Sequence, residues 1–276
     1  MSFPIRKLLR CLGCFLIIIT FPYGSLLQAQ DETGRAQNLR VLQEATSIGA
    51  GFSQVKDTYL SPFDYTGWGL RILDERLTLR YSKHFSVQQI LSADISSTEN
   101  PAENVNDFGA FVDYFRAYPY RFIDGPAFKL LGGPFAHLLG GFLYNTRNGN
   151  NPLSAKVDLD LGASLLLFYT FRLGRLPLTL RYQADLPVGG IFFAPPYGAS
   201  YYEMFNEGNV SDIVSLNSFH NKFALKNTLT LDIPIRHAAL RIGILSSYYR
   251  TNAKELQTRI FSNTFTIGWV KEFYIK

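Results

Sequence analysis

The sequence predicts an all-β protein: an antiparallel, up-and-down transmembrane β-barrel of about ten strands, with twelve as the alternative count, behind a cleaved signal peptide. Three observations predict it. Side chains alternate apolar and polar with period two over most of the chain beyond residue 45. The alternating runs are long: residues 155–172, 176–194 and 256–275 exceed the usual strand of about 5–6 residues and suit a tilted membrane-spanning strand, which needs about 9–11. The second face of these runs carries Asp158, Asp160, Gly162 and Ser164. A sandwich core would not bury such groups unpaired, whereas a polar lumen accepts them.

The amino-terminal stretch reads as a secretory signal. Arg6, Lys7 and Arg10 form a positive region, and Cys11 to Phe21 is apolar except for Gly13 and Thr20. Leu27-Gln28-Ala29 offers a cleavage point, so the mature chain would begin near Gln30. The apolar run is shorter than the ~20 residues of a spanning helix. Its removal takes three of the 27 Lys and Arg residues and leaves 24 against 22 Asp and Glu, a net charge of about +2 rather than +5. The isoelectric point near 9.1 is then mostly a property of the leader and implies no nucleic-acid partner. Cys11 and Cys14 leave with it, so no disulfide and no thiolate metal site is expected. Aromatic residues make up 15% of the chain and charged residues only 18%, an unusual balance for a soluble domain.

Residues 30–45 read as a short periplasmic segment, within which Asp31 to Glu44 is the only helical candidate, and residues 46–276 as the barrel. The ten expected strands are 46–55, 66–81, 84–97, 107–118, 127–145, 155–172, 176–194, 220–234, 237–251 and 256–275. Val157, Leu159, Leu161, Ala163 and Leu165 alternate with Asp158, Asp160, Gly162 and Ser164, and Leu178, Leu180, Tyr182, Ala184 and Leu186 with Thr179, Arg181, Gln183 and Asp185. Leu225, Leu229, Leu231 and Ile233 alternate with Lys226, Thr228, Thr230 and Asp232, and Leu240, Ile242 and Ile244 with Arg241 and Gly243. Each run therefore has one apolar and one polar face. With a periplasmic amino terminus, gaps 56–65, 98–106, 146–154 and 195–219 become outer loops and 82–83, 173–175 and 235–236 periplasmic turns; only 252–255 is short on the outer side. The apolar phase slips around Leu73 to Leu77, where Asp74-Glu75 can turn or bulge, and Gly132-Gly133-Pro134 can split its segment. Both breaks together give the count of twelve. Aromatics near strand ends, among them Tyr65, Trp68, Tyr114, Phe115, Tyr169, Phe171, Tyr248, Tyr249, Trp269 and Phe273, suit the membrane–water interface.

Three stretches carry a family resemblance: Asp57-Thr58-Tyr59-Leu60-Ser61-Pro62 with Tyr65-Thr66-Gly67, then residues 145–152 (NTRNGNNP), then residues 196–205 (PYGASYYEMF). With the strands between them, the chain resembles a family of uncharacterised outer-membrane barrels of Bacteroidetes, classed as a domain of unknown function. The resemblance implies fold and a cell outer-membrane location, and through them membrane lipid and the barrel-assembly machinery as partners. It implies no activity. The usual carboxy-terminal aromatic is replaced here by Phe273-Tyr274-Ile275-Lys276.

The candidate functional residues fall into two groups. Asp158, Asp160, Arg181, Asp185 and Arg241 are lumen charges, with the two aspartates expected to pair with Arg181 and Arg241. Asn148, Asn150, Asn151, Tyr197, Tyr201, Tyr202 and Glu203 are outer-loop candidates, where Asn and Gly also make good turns. His84, His137, His220 and His237 show no metal-ligand spacing, and no phosphate-binding loop or cofactor motif is present. A ten-stranded barrel is only slightly wider than one whose side chains fill it, so the primary expectation is a non-enzymatic barrel, structural or porin-like with a narrow pore. One alternative is a barrel hydrolase, an omptin-like peptidase or a lipid-modifying enzyme, acting through Asp158, Asp160, Asp212 and His220; Ser218, His220 and Asn221 are too close along one strand, with His220 and Asn221 on opposite faces, to match the Ser, His and Asn of a lipase. Another is a soluble periplasmic ligand-binding barrel, in which Leu178, Leu180, Tyr182 and Leu186 would be core.

Overall fold

The computed structural model describes residues 40–80, 84–149, 151–196, 198, 200, 201, 204, 213–236 and 238–275. The expected signal peptide, its cleavage point and residues 30–39 lie outside the described residues. The elements are β1 (Arg40–Asp57), β2 (Ser61–Arg80), β3 (Val87–Glu99), β4 (Asn106–Ala117), β5 (Tyr120–Asp124), β6 (Phe128–Asn145), β7 (Leu153–Leu173), β8 (Leu176–Phe193), β9 (Val214–Asn217), β10 (Lys222–Ile235), β11 (Ala238–Ala253) and β12 (Leu256–Ile275). All neighbours pair antiparallel, β1 lies between β12 and β2, and β8 pairs with β10, so the sheet closes into a ten-stranded barrel with β5 and β9 as additional strands. The end where β1 begins is called the near end below, and the opposite one the far end.

The two additional strands are not the breaks considered in the sequence. β5 prolongs the line of β4 along β6: Ala117 pairs with Phe135, and Tyr120 next pairs with Gly132. Between them Pro119 and, across the ladder, Pro134 both lack an N–H, and the Tyr118 amide bridges the gap, donating to Pro134 O at 3.0 Å. Glycine is required beside this defect, because a Cβ on Gly133 would lie 2.4 Å from Tyr118 O. β6 therefore runs unbroken through Gly132-Gly133-Pro134. β9 occupies the edge of β8 beyond β10, with Asn217 opposite Gly190 and Lys226 opposite Asp185, in a stretch expected to be loop.

Other boundaries move for pairing reasons. β1 starts at Arg40, not Thr46, and residues 40–44 are strand, not helix or linker, because each pairs with β2 on one side and β12 on the other. The expected outer loop 56–65 shrinks to residues 58–60, because Asp57 pairs directly with Ser61. The ladder of β3 begins at Val87 rather than His84, although Phe85 bridges to Tyr120.

β2 passes through Asp74-Glu75 without turning or bulging there. The slip in apolar phase has another cause. Toward the far end, Trp68, Leu70 and Ile72 point outward and are exposed. Toward the near end, Leu77 points inward and is buried, while Asp74 and Arg76 lie outside beside Thr46 and Glu44. The strand exchanges the polarity of its two faces at Glu75.

Outside, a belt of large apolar side chains surrounds the wall: Ile48 is 59% exposed, Trp68 55% and Leu161 62%. On β12, β1 and β2 it is bounded by Glu44, Asp74 and Arg76 toward the near end and by Asp64 and Arg259 toward the far end. Leu180, expected outside, is exposed, although Leu178 is covered. Of the aromatics assigned to strand ends, Tyr65 and Phe115 turn inward and are buried, and Tyr249 reaches lumen Asp158.

Candidate functional site

The lumen is the site the fold builds. Alternation puts one residue in two on its inner face, and polar residues dominate much of that face. All five predicted lumen charges are buried: Asp158 and Asp160 at 1% exposure each, with Arg181, Asp185 and Arg241 close behind. Their partners are not the expected ones.

Toward the near end, the centre is Glu75 on β2. Arg181 of β8 forks onto it, donating to Oε2 at 2.7 Å and also reaching Oε1. Arg241 of β11 donates to Glu75 Oε2 at 2.8 Å and holds Asp232 with Nε at 2.7 Å and its second amino group at 2.8 Å. Gln88 donates to Glu75 at 2.6 Å and to Gln183 Oε1 at 2.8 Å. Asp185 accepts from Ser164 at 2.5 Å and from Gln183 at 3.0 Å. One carboxylate thus sits between two guanidiniums that cross the barrel to reach it. These pairings are charge-assisted and directional.

Toward the far end the signs are reversed. Lys222 at the start of β10 stands between Asp160, at 2.8 and 2.9 Å, and Asp158, at 3.1 Å. Its ammonium also faces the Phe192 and Tyr249 rings at 5.6 and 5.3 Å, a cation–π arrangement. Asn217 of β9 donates to Asp160 at 2.7 Å, His137 Nδ1 lies 3.4 Å from the same carboxylate, and Tyr249 OH donates to Asp158 at 3.4 Å. The expectation that Asp158 and Asp160 pair with Arg181 and Arg241 is therefore corrected: those arginines serve Glu75 and Asp232. Register decides this, because barrel closure brings β10 rather than the arginine levels of β8 and β11 opposite the aspartates.

Between the two networks, Lys226 donates to Asp113 at 3.0 Å and Arg71 pairs with Asp94. Beyond the second, Lys156 bridges Asp57 and Thr258, both at 2.8 Å. Apolar layers of Phe115, Ala117 and Phe135, and of Val55, Leu60 and Leu143, complete the filling. Sequence reasoning missed Glu75, Lys222, Asp113, Lys156 and Asp57 as lumen groups; Lys226 and Asp232 stood on the polar face of their strand but were not singled out.

The outer-loop candidates form locking contacts where they are described. Asn148 donates to Leu60 O at 3.3 Å and accepts from the Asn151 amide at 3.0 Å. The Tyr201 hydroxyl accepts from the Ala155 amide at 2.6 Å, and its ring meets Tyr59 edge-on at 5.7 Å. Burial pushes that hydroxyl above the ordinary tyrosine range. Asn150, Tyr197, Tyr202, Glu203 and Asp212 lie outside the described residues.

The hydrolase geometries meet different fates. His220 is exposed and its Nδ1 is 2.6 Å from Ser218 Oγ; among the described residues, no hydrogen bond or ion pair joins it to Asp158 or Asp160. Asn221 is turned to the Ser218 amide, at 2.9 Å, and to Leu216 O, at 2.6 Å, rather than to the imidazole. No group of three or more His, Cys, Asp or Glu side chains among the described residues could hold a metal ion.

A family model described as a protein of unknown function, DUF3316, matches residues 11–276. No curated protein matches. Among solved structures, the outer-membrane protease OmpT from Escherichia coli is similar at 9% identity and a TM-score of 0.39, over 86% of this chain and 97% of that one. The transport unit of the autotransporter AIDA-I from Escherichia coli is similar at 8% identity and a TM-score of 0.44, over 96% of this chain and 98% of that one. The β domain of the Bordetella autotransporter BrkA is similar at 11% identity and a TM-score of 0.40, over 84% of this chain and 99% of that one.

Proposed function

The chain belongs to the DUF3316 family, and we propose that it is an outer-membrane β-barrel with a closed lumen, a non-enzymatic scaffold that presents its end loops rather than an open pore. One observation carries this reading: the barrel is inverted relative to a soluble protein. Leu161, Ile48 and Trp68 face out, while Asp158, Asp160, Arg181 and Glu75 are buried inside. In water, that outer belt would be a large exposed apolar surface, which soluble monomers rarely carry. Against hydrocarbon it is the favoured surface, and closure leaves no unpaired strand edge in lipid.

The closed lumen follows from the cross-barrel bonds. Glu75 to Arg181 and Asp113 to Lys226 join facing walls, while Glu75 to Arg241 and Asp160 to Lys222 tie strands three and two apart in the ring, at successive heights. Membrane lipid and the assembly machinery are the partners, and residues 1–29 provide export, with the near end periplasmic. The test is fractionation with conductance. The protein should stay with outer membranes until detergent is added, migrate faster folded than boiled, begin near Gln30, and give no discrete conductance steps in planar bilayers. Release without detergent would overturn the membrane reading, and stable steps the closed lumen.

A further inference from the structure

Below the Glu75 network the lumen changes character. A cavity of about 520 Å³ opens at the near end, within the ~300–1,000 Å³ of small-molecule sites. Its walls are apolar: Leu77, Leu79, Leu131, Phe168 and Val270 line it, and the first and third of these are fully buried. This is the region where β2 exchanges its faces, apolar inward and charged outward. Its floor is sealed, because Arg181 lies over the Phe168 ring at 5.5 Å and is tied to Glu75. An apolar recess open to water is unfavourable in proportion to its area, so this geometry suits an occupant with an aliphatic body.

The mouth selects the other end of that occupant. Arg121 and Lys129 stand on the β5–β6 side and share Asp124, at 2.5 and 3.4 Å, while Arg236 stands on the β10–β11 turn opposite. Two further acids line the cavity: Asp232 is taken by Arg241, whereas Glu272 accepts only from the neutral Gln43 amide, at 3.1 Å, and keeps its charge. Three cations, Arg121, Lys129 and Arg236, thus stand against the two carboxylates Asp124 and Glu272, which leaves the mouth net positive over an apolar interior.

We infer that this vestibule binds a single-chain amphiphile with an anionic head group, its chain against Leu79, Phe168 and Val270 and its head among Lys129, Arg121 and Arg236. The inference rests on the closed lumen proposed above. A free fatty acid and an anionic lysophospholipid share this chemistry.

The test is photolabelling of the protein in phosphatidylcholine nanodiscs with a diazirine-bearing fatty acid, mapped by mass spectrometry. Saturable labelling of inward residues around Leu79 and Phe168 is expected. Ala239→Trp, which fills the cavity, should reduce it about tenfold or more, and the double change Lys129→Glu with Arg236→Glu several-fold, as expected for partly exposed charges. If Ala239→Trp does not fold, Leu79→Asp serves the same purpose by putting a carboxylate in the wall. Stronger competition by palmitate names the fatty acid as the source, and stronger competition by lysophosphatidylglycerol the lysolipid; either supports the site. Labelling confined to outward residues such as Leu159, or inward labelling unchanged by the folded variant, overturns it. Conductance of the same preparation separates the two readings: steps would sink the closed lumen, whereas absent inward labelling in a non-conducting barrel sinks only the ligand.

Discussion

The two ends of the lumen solve one problem with opposite signs. At Glu75, one carboxylate is held by two guanidiniums; at Lys222, one ammonium is held by two carboxylates. Both centres are buried, so each depends on its partners to offset desolvation. They differ in what remains when the centre is lost. Two arginines cannot shed their charge at any ordinary pH, whereas two aspartates can relieve their repulsion by taking up a proton. The near-end network is therefore the more rigid closure and the far-end network the more adaptable one.

The largest effect should come from Glu75→Gln. It keeps an oxygen for hydrogen bonding but leaves Arg181 without a carboxylate partner, and a broken buried pair costs about 3–5 kcal/mol. Urea unfolding of the refolded barrel, followed by the heat-dependent gel shift, should give a clearly lowered midpoint at both pH 8 and pH 5. The same variant loosens the floor of the vestibule, so conductance steps absent from the parent should appear. Lys222→Met should match that loss at pH 8, at about 3 kcal/mol or more, but recover part of it at pH 5, because one of Asp158 and Asp160 can then be neutral. Equal pH dependence in the two variants would erase the distinction between the ends.

Within the far-end network, Asp160→Asn should cost more than Asp158→Asn. Asp160 accepts two bonds from Lys222 and one from Asn217, while Asp158 adds to its Lys222 contact only the long bond from Tyr249. Charged hydrogen bonds of this kind contribute roughly 1.5–3 kcal/mol. Because Asn217 belongs to β9, Asp160→Asn should also increase hydrogen exchange at Val214–Asn217 more than in the neighbouring wall strands.

How much of this was legible depends on the interaction's range. Alternation is local, so the wall strands, their outward stripes and the burial of Asp158, Asp160, Arg181, Asp185 and Arg241 could be read directly from the chain. Partner choice is not local. Lys222 reaches Asp160 only because closure pairs β8 with β10 in one register, and no run of residues encodes that offset. Glu75 was hidden for a different reason. It lies where the inward face changes from polar to apolar, so the break in pattern resembled a turn, although it marked the floor of a cavity. The pieces β5 and β9 were missed because prolines at Pro119 and Pro134 and the stretch before Lys222 carry loop chemistry, while the pairing that makes them strands comes from β6 and β8.

The smallest effect belongs to the far rim, and it tests whether the rim is energetically separate from the lumen. Tyr201→Phe removes the hydroxyl that accepts from the Ala155 amide at 2.6 Å but keeps the ring that packs edge-on against Tyr59. A neutral hydrogen bond of this kind contributes about 0.5–1.5 kcal/mol. The loss should be local, because Ala155 precedes the lumen aspartates of β7 and the bonds that hold Lys222 run to Asp158 and Asp160. Combined with Lys222→Met, the two changes should add within about 0.5 kcal/mol, as independent sites do. A coupling larger than that, measured by the double-mutant cycle in urea, would mean that the outer loop and the far-end network form one unit, and the contrast between the two ends would extend to the rim.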